Sequence, residues 1–338
     1  MPTGSTDRSP GRPAPSLYAR AVMLGVVGAF ALCLGSVLLI RTRPADVPAA
    51  PKAPGKPAMA RVAEMDPVVP WSPAAKVNAV PQREGPYTLD PDAEMIESGS
   101  AFITLLGDDL RSDRFIVSDH GNEGGFQGGD WVPENVVATS DGVRLDVTPT
   151  GNPKKPYALS EVQLAGLYGY GRYEVVMRPA KGSGLVSAFF VYTGPWFGDP
   201  HDEIDIEFVG KEMTEVQLNY FHKGKKGHFA NIKLPFDASE EDHLYAFDWK
   251  PEGISWYVDG ELIYETPKGD PRIPNTSGRI YFSNWTGIPA LRQWHGNPDF
   301  GDRGSAYYSC ISFTPLGENS RRCSDVYRPG TRFPEPVK

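Results

Sequence analysis

Beyond Gly99 no run of roughly a dozen residues carries an apolar period near 3.6, the repeat that lays one greasy stripe along a helix. The region consists instead of short runs that alternate or are rich in β-branched and aromatic residues. They include GVRLDVTPT (142–150), GRYEVVMRP (171–179), GLVSAFFVYTGP (184–195), EVQLNYF (215–221), LYAFDWKP (244–251), ISWYVDGELIYE (254–265) and GRIYFSNW (278–285). Pro179 and Gly194-Pro195 end two of them. Asp259-Gly260 between Val258 and Glu261 is a hairpin signal, because both residues tolerate positive φ. With Gly 36 and Pro 33 in 338 residues, long helices are disfavoured. Many short strands over about 230 residues predict an all-β domain, a two-sheet β-sandwich.

The first hundred residues are different. AVMLGVVGAFALCLGSVLLI, residues 21–40, is uncharged and would make about 30 Å of helix, one hydrocarbon thickness. It exceeds the apolar core of a cleaved signal peptide, and Arg41 and Arg43 follow where a small-residue cleavage site would stand. A retained transmembrane signal anchor is expected, with secretion after cleavage as the alternative. Arg8, Arg12 and Arg20 before the span are balanced by Arg41, Arg43, Lys52 and Lys56 after it, so charge alone leaves the orientation open. Residues 41–96 are rich in Pro and Ala and read as an extended tether. A formal net charge of -8 argues against a nucleic-acid partner. Cys33 lies in the span. Cys310 and Cys323 could close one disulfide loop in an oxidising compartment, and their spacing is not that of a zinc site.

Residues 201–208, HDEIDIEF, carry the chemistry. On a strand, residues i, i+2 and i+4 share a face, so Glu203, Asp205 and Glu207 line one side while Ile204, Ile206 and Phe208 line the other. An ordinary wet strand face is one reading, although three like charges in a row repel. A cation site is a second. Glycoside hydrolysis is a third. A retaining glycosidase needs two carboxyl groups about 5–5.5 Å apart, one a nucleophile and one a proton donor. Residues four apart on a flat strand are separated by about 13 Å at Cα, so the side chains would have to lean together on a curved sheet. Crowded like charges then raise one pKa and separate the two roles.

The run resembles the glycoside hydrolase family 16 signature E-I-D-I-E. YGYGRYEVVMRPAKGSGLVSAFFVYTGP (168–195), DEIDIEFVGK (202–211), VQLNY (216–220) and YAFDWKPEGISWYVDGEL (245–262) resemble lichenase segments in the same order, over roughly residues 100 to 325. The resemblance implies a β-jelly roll with a substrate groove along its concave sheet. It implies Glu203 as nucleophile, Asp205 as assisting carboxylate and Glu207 as general acid/base. It also implies Asn219 and Asn122 as sugar-binding residues. The chain departs from lichenases in His201 for Trp, Gln163 for Arg and Ser283 for Asn, and in lacking the Cys pair that ties the lichenase N-terminal strand, with Gly128 and Gly129 near one of its positions. PHDEID, SEVQ and FFVYTGP are more similar to bacterial glycanases that trim exopolysaccharide.

Trp196 is a candidate sugar platform, and Trp285 and Trp294 are groove candidates by the same resemblance. Trp249 and Trp256 alternate with core positions and are expected to pack. His201 could bind sugar or tune the acids. Lys223, Lys225 and Lys226 read as a solvated turn. No G-x-S-x-G, H-E-x-x-H or Walker motif is present.

The expectation is thus a cytoplasmic tail (1–20), an anchor (21–40), a linker (41–96), a catalytic domain (97–326) outside the cytoplasm, and a C-terminal tail (327–338). The activity expected is that of a monomeric retaining endo-β-glycanase acting on a polysaccharide. No cofactor is required, although relatives hold a structural calcium (Ca2+). A transglycosylase with the same site, and a non-catalytic carbohydrate-binding envelope protein, are the alternatives.

Overall fold

The structure is a computed structural model that describes residues 99–105, 113–122 and 125–330. The span at 21–40 and the linker at 41–96 lie outside the described residues, as does the tail from 331. Among the described residues no helix is long and apolar enough to cross a membrane.

The strands in chain order are β1 (Ala101–Thr104), β2 (Phe115–Val117), β3 (Gly129–Trp131), β4 (Val136–Thr139), β5 (Gly142–Pro149) and β6 (Tyr157–Leu164). Then come β7 (Gly171–Arg178), β8 (Leu185–Thr193), β9 (Asp202–Val209), β10 (Glu215–His222), β11 (Lys225–Lys226) and β12 (Ala230–Lys233). The last are β13 (His243–Lys250), β14 (Gly253–Val258), β15 (Glu261–Glu265), β16 (Arg279–Thr286) and β17 (Gly304–Pro315). The helical segments described are single turns, such as Pro195–Phe197, Arg292–His295 and Cys323–Val326. The period-two reading therefore holds along the domain.

Two antiparallel layers form. One runs β2-β6-β16-β8-β9-β10, with β11 and β12 both on the outer edge of β10. The other runs β4-β5-β17-β7-β13-β14-β15, with β1 beside the later half of β17. They join at one corner, where β6 pairs with β5 and, in parallel, with β3. Gly129 is needed there, since a Cβ would lie 1.9 Å from the Tyr157 carbonyl oxygen. The missing cysteine pair thus coincides with a backbone contact that admits no side chain.

The core between the layers is aromatic. Phe189, Phe208, Phe247, Phe282, Tyr173, Trp249 and Trp256 are all buried, and Tyr173 stacks on Phe247 at 4.5 Å. Each such side chain removed from water contributes roughly 1.5–3 kcal/mol. Ile204, Ile206 and Phe208 of β9 are fully buried in this core, which turns the three acids of the same strand to the opposite face. Polar ties also cross the sandwich. The Tyr308 hydroxyl of β17 donates toward the carbonyls of Ala188 (3.1 Å) and Ser283 (2.9 Å) in the other layer. The Asn284 side-chain amide of β16 donates to Leu145 (2.9 Å) and Gly304 (3.0 Å).

The β14–β15 hairpin turns through Asp259 and Gly260, both at positive φ (50° and 84°). A disulfide joins Cys310 of β17 to Cys323. It packs with Val176, Leu244 and Tyr327 in a small cluster. Tyr327 is one residue beyond the catalytic segment expected from the sequence, yet it is buried and donates its hydroxyl to the Asp242 carbonyl at 2.9 Å.

Candidate active site

Strand register maps the acid-bearing face. Across it, one row reads Asn219, Asp205, Phe190, Tyr281, Gln163. A second reads Gln217, Glu207, Ala188, Ser283, Glu161. A third reads Lys226, Phe221, Glu203, Tyr192, Arg279. The face is recessed: the Glu203 side chain is 19% exposed and Asp205 only 5%. Backbone position on both sides of β9 is therefore fixed by full-length neighbours, β8 and β10.

The acid strand is pinned at its start. Asp202, buried and facing away from the trio, accepts hydrogen bonds from the backbone N–H groups of Lys223 (2.7 Å), Asn275 (3.0 Å) and Thr276 (3.0 Å). Its other partner is His222 Nδ1 at 3.0 Å. Burial alone would raise its pKa, but these donors more than offset that and hold it below the usual carboxylate value. Two loops are thereby tied to the residue next to Glu203. In the middle of the strand, the Trp256 indole N–H donates to the backbone carbonyl of Asp205 from the other layer, at 3.2 Å.

The three acids differ in proton affinity. Burial pushes the Asp205 carboxyl well above the usual range, and the charges on Glu203 and Glu207 push the same way. Asp205 is also hydrogen-bonded to Glu203. Burial, and then the charge on Glu203, raise Glu207 to about 7, while Lys226 pulls both groups back down. The solvated-turn reading of the lysine run is corrected here. Lys223 and Lys225 are exposed as expected, but Lys226 is half-buried, its ammonium lies 4.6 Å over the Phe229 ring, and its charge reaches the acids.

His201 stands directly beside the trio. Its Nε2 lies 2.6 Å from Oε2 of Glu203. The ring is stacked on Phe221 at 4.9 Å and edge-on to Tyr192 at 5.4 Å. Burial disfavours a charged imidazole, but Glu203, with Asp202 behind it, raises the His201 pKa above its ordinary value.

The remaining residues expected from the sequence fall in several places. Asn219 is the cross-strand partner of Asp205; it is buried, and its Oδ1 has no hydrogen-bond partner among the described residues. Gln163 and Ser283 lie on the same face but under cover, Gln163 donating to the Ser118 hydroxyl at 3.1 Å. Trp285 and Trp294 pair at 5.8 Å, and the Trp294 indole donates to Gln217 Oε1 at 2.8 Å, next to Glu207. Trp196 is the most exposed tryptophan described, at 69%, in the turn that leads into β9. Asn122 lies away from these rows, bonded to Asp130 and Gln127, and Gln127 bridges Gly287 just past β16. Trp249 and Trp256 pack as expected.

Glu161 did not stand out in the sequence. It is a buried carboxyl bonded to Ser118 (2.7 Å) and raised by burial to about 7. Phe190, stacked on Tyr281 at 4.9 Å, Tyr192 and Gln217 were missed as well. Their alternation is visible in the sequence, but the pairing register that puts them on this face is not.

Among the described residues no group of three or more His, Cys, Asp or Glu is placed to hold a metal ion.

One strand thus brings two Glu side chains to the same face, one of them holding its proton up to about pH 7, and paired carboxyl groups are the residue type that glycosidic cleavage uses. Comparison with known proteins gives the same class. Residues 129–300 match the family described as glycosyl hydrolases family 16. A β-glucanase of Paenibacillus macerans is 42% identical over 197 residues, covering 58% of this chain and 81% of that protein. One from Paenibacillus polymyxa is 44% identical over 185 residues, covering 54% and 75%. The solved Bacillus licheniformis β-glucanase superposes with a TM-score of 0.59 at 38% identity, over 64% of this chain and 98% of that one. The Crh5 transglycosylase, at 21% identity and a TM-score of 0.54, shares the fold alone. The chain belongs to glycosyl hydrolases family 16 and is a glycosidase.

Proposed function

We propose that the protein is a retaining endo-β-glucanase that cleaves a β-1,3/1,4-type glucan or a related bacterial exopolysaccharide. The observation that carries this reading is the unequal state of the trio: Glu203 bears the charge that raises both of its neighbours, and Glu207 keeps its proton to about pH 7. Glu203 attacks the anomeric carbon. The bond to the leaving oxygen breaks as Glu207 gives that oxygen its proton, leaving a glycosyl ester on Glu203. Glu207, now a carboxylate, takes a proton from water. The hydroxide portion displaces Glu203 from the anomeric carbon, and both carboxyls return to their starting state. Asp205 donates its hydrogen bond to Glu203 throughout. Trp196 and the part-buried Trp294 supply ring faces for sugar planes, with the buried Trp285 paired against Trp294, and Asn219 offers an unpaired oxygen to a hydroxyl.

The same residues would serve a transglycosylase, in which a sugar hydroxyl replaces water in the second step. A non-catalytic binder would have no use for a proton held on Glu207. The catalytic domain would lie outside the cytoplasm, tethered through residues 21–40 and 41–96. The Cys310–Cys323 disulfide supports an oxidising compartment. Release of reducing ends from mixed-linkage β-glucan, laminarin and an acidic exopolysaccharide tests the activity and ranks the substrates. Glu203→Gln should lower turnover by at least about a thousandfold while retaining binding. NMR of the first-formed product should show retention, and an inverted anomer would exclude Glu203 as nucleophile.

A further inference from the structure

We infer that His201 is a positioning residue for the nucleophile: its imidazolium holds Oε2 of Glu203 and thereby sets the acid edge of the enzyme's working pH range. The inference rests on the assignment of Glu203 above. It comes from four contacts. Nε2 and Oε2 are 2.6 Å apart, just under the short end of the roughly 2.7–2.9 Å range of charge-assisted N–H···O bonds. The ring is fixed from both sides, face-on by Phe221 of β10 and edge-on by Tyr192 of β8. The backbone is fixed as well, since the His201 carbonyl accepts the Gly224 N–H at 2.8 Å. A ring held at three points, on a backbone that is itself tied, does not swing away when substrate enters.

The charges around it favour the protonated ring. On its own strand His201 faces Glu203, with Asp202 behind. From β8 it faces the Tyr192 hydroxyl, which burial and the charges of Glu203 and Glu161 keep protonated. The ring on β10 is Phe221, which carries no charge. Lys226, across Phe221 in the same row, Lys223 in the loop between, and Arg279, across Tyr192, are cations on this flank. Arg279 is stacked at 4.7 Å over Phe197, on the turn before β9.

This arrangement does two things for a double displacement. Before attack, it keeps one oxygen of Glu203 in a fixed place, with a donor set directly against it. After attack, the same N–H is in place for an ester oxygen of the glycosylated Glu203. No proton needs to leave the ring in either step, so His201 acts through Glu203 and not on the sugar.

The experiment compares kcat/KM against pH for wild type, His201→Gln and His201→Ala on a soluble β-glucan. Gln keeps a donor but no charge. The expected result is that His201→Gln loses less than about tenfold at its optimum while its acid limb moves up by about one pH unit, as removal of a close opposite charge requires. His201→Ala should show the same shift with a further loss in kcat. A merely structural role would lower kcat or the melting temperature and leave the limb in place, and an unmoved limb in His201→Gln overturns the proposal. Glu203→Gln, measured alongside, separates the two readings. If it stays active, the nucleophile assignment fails and the proposal with it. If it is inert while His201→Gln keeps the wild-type limb, only the role of His201 is lost.

Discussion

The indole N–H of Trp256 crosses the sandwich and donates to the backbone carbonyl of Asp205, the middle acid, at 3.2 Å. A core side chain of one layer thereby holds the acid-bearing strand of the other. Trp256→Phe keeps most of the apolar bulk and removes the donor. The loss should be on the order of 1–2 kcal/mol, a fall in melting temperature of roughly 2–8 °C for a domain of this size. Because the bond ends on the acid strand, kcat should fall about threefold or more with KM little changed. Calorimetry together with steady-state kinetics checks this, and an unchanged kcat would reduce Trp256 to packing.

Lys226 should set the alkaline edge of activity. Its charge lowers both Asp205 and Glu207 against the burial that raises them, and Glu207 stands at about 7. A general acid must be protonated to act, so kcat/KM should fall as pH rises through about 7. Lys226→Gln removes the opposing cation. The Glu207 proton is then held more tightly, and the alkaline limb should move up by roughly half a unit. Lys225→Gln, one residue away and exposed, is the control and should leave the limb where it is. A downward shift for Lys226→Gln would contradict the electrostatic account.

The alternation in HDEIDIEF was enough to place three acids on one face and to bury Ile204, Ile206 and Phe208 behind them. The hairpin at Asp259-Gly260 and the packing of Trp249 were equally legible, because each depends on local backbone preference or period. What surrounds the acids was not. Tyr192 and Phe190 alternate in FFVYTGP whether they face core or groove, and only the pairing of β8 with β9 decides. Glu161 stands beside Ser283 through a pairing of residues more than a hundred positions apart. Lys226 reads as one more charge in a basic turn until β11 folds it onto Phe221. Such choices are made by tertiary pairing, which the period of a single strand does not encode.

The trio should weaken the fold at the pH where it works. The folded Glu207 titrates at about 7 against an ordinary value of 4.5, so the native state binds its proton more tightly than the unfolded chain does. Its contribution is therefore fully present below about 4.5 and is lost as pH rises through about 7. Glu207→Gln, always neutral, does not incur that loss. Its melting temperature relative to wild type should be near zero difference at pH 4.5 and several degrees higher at pH 8, on the order of 3 kcal/mol. Thermal melts at the two pH values test the sign. A gain that is larger at pH 4.5 would refute it.

The disulfide should matter for stability and not for chemistry. Cys310 and Cys323 are 13 residues apart, and closing a loop of that length restricts the unfolded chain by about 3 kcal/mol. The bond lies on β17 in the layer that does not carry the acids, packed with Val176, Leu244 and Tyr327. Cys323→Ser should therefore lower the melting temperature by roughly 6–12 °C. Turnover at 25 °C should stay within about twofold of wild type, since the core between the layers separates the bond from β9. Wild type in reductant should melt like the variant, and the variant should be insensitive to reductant. If Cys323→Ser instead lost activity while keeping its melting temperature, the C-terminal segment would be coupled to the site through β7 and β13, and the separation of roles between the two layers would be wrong.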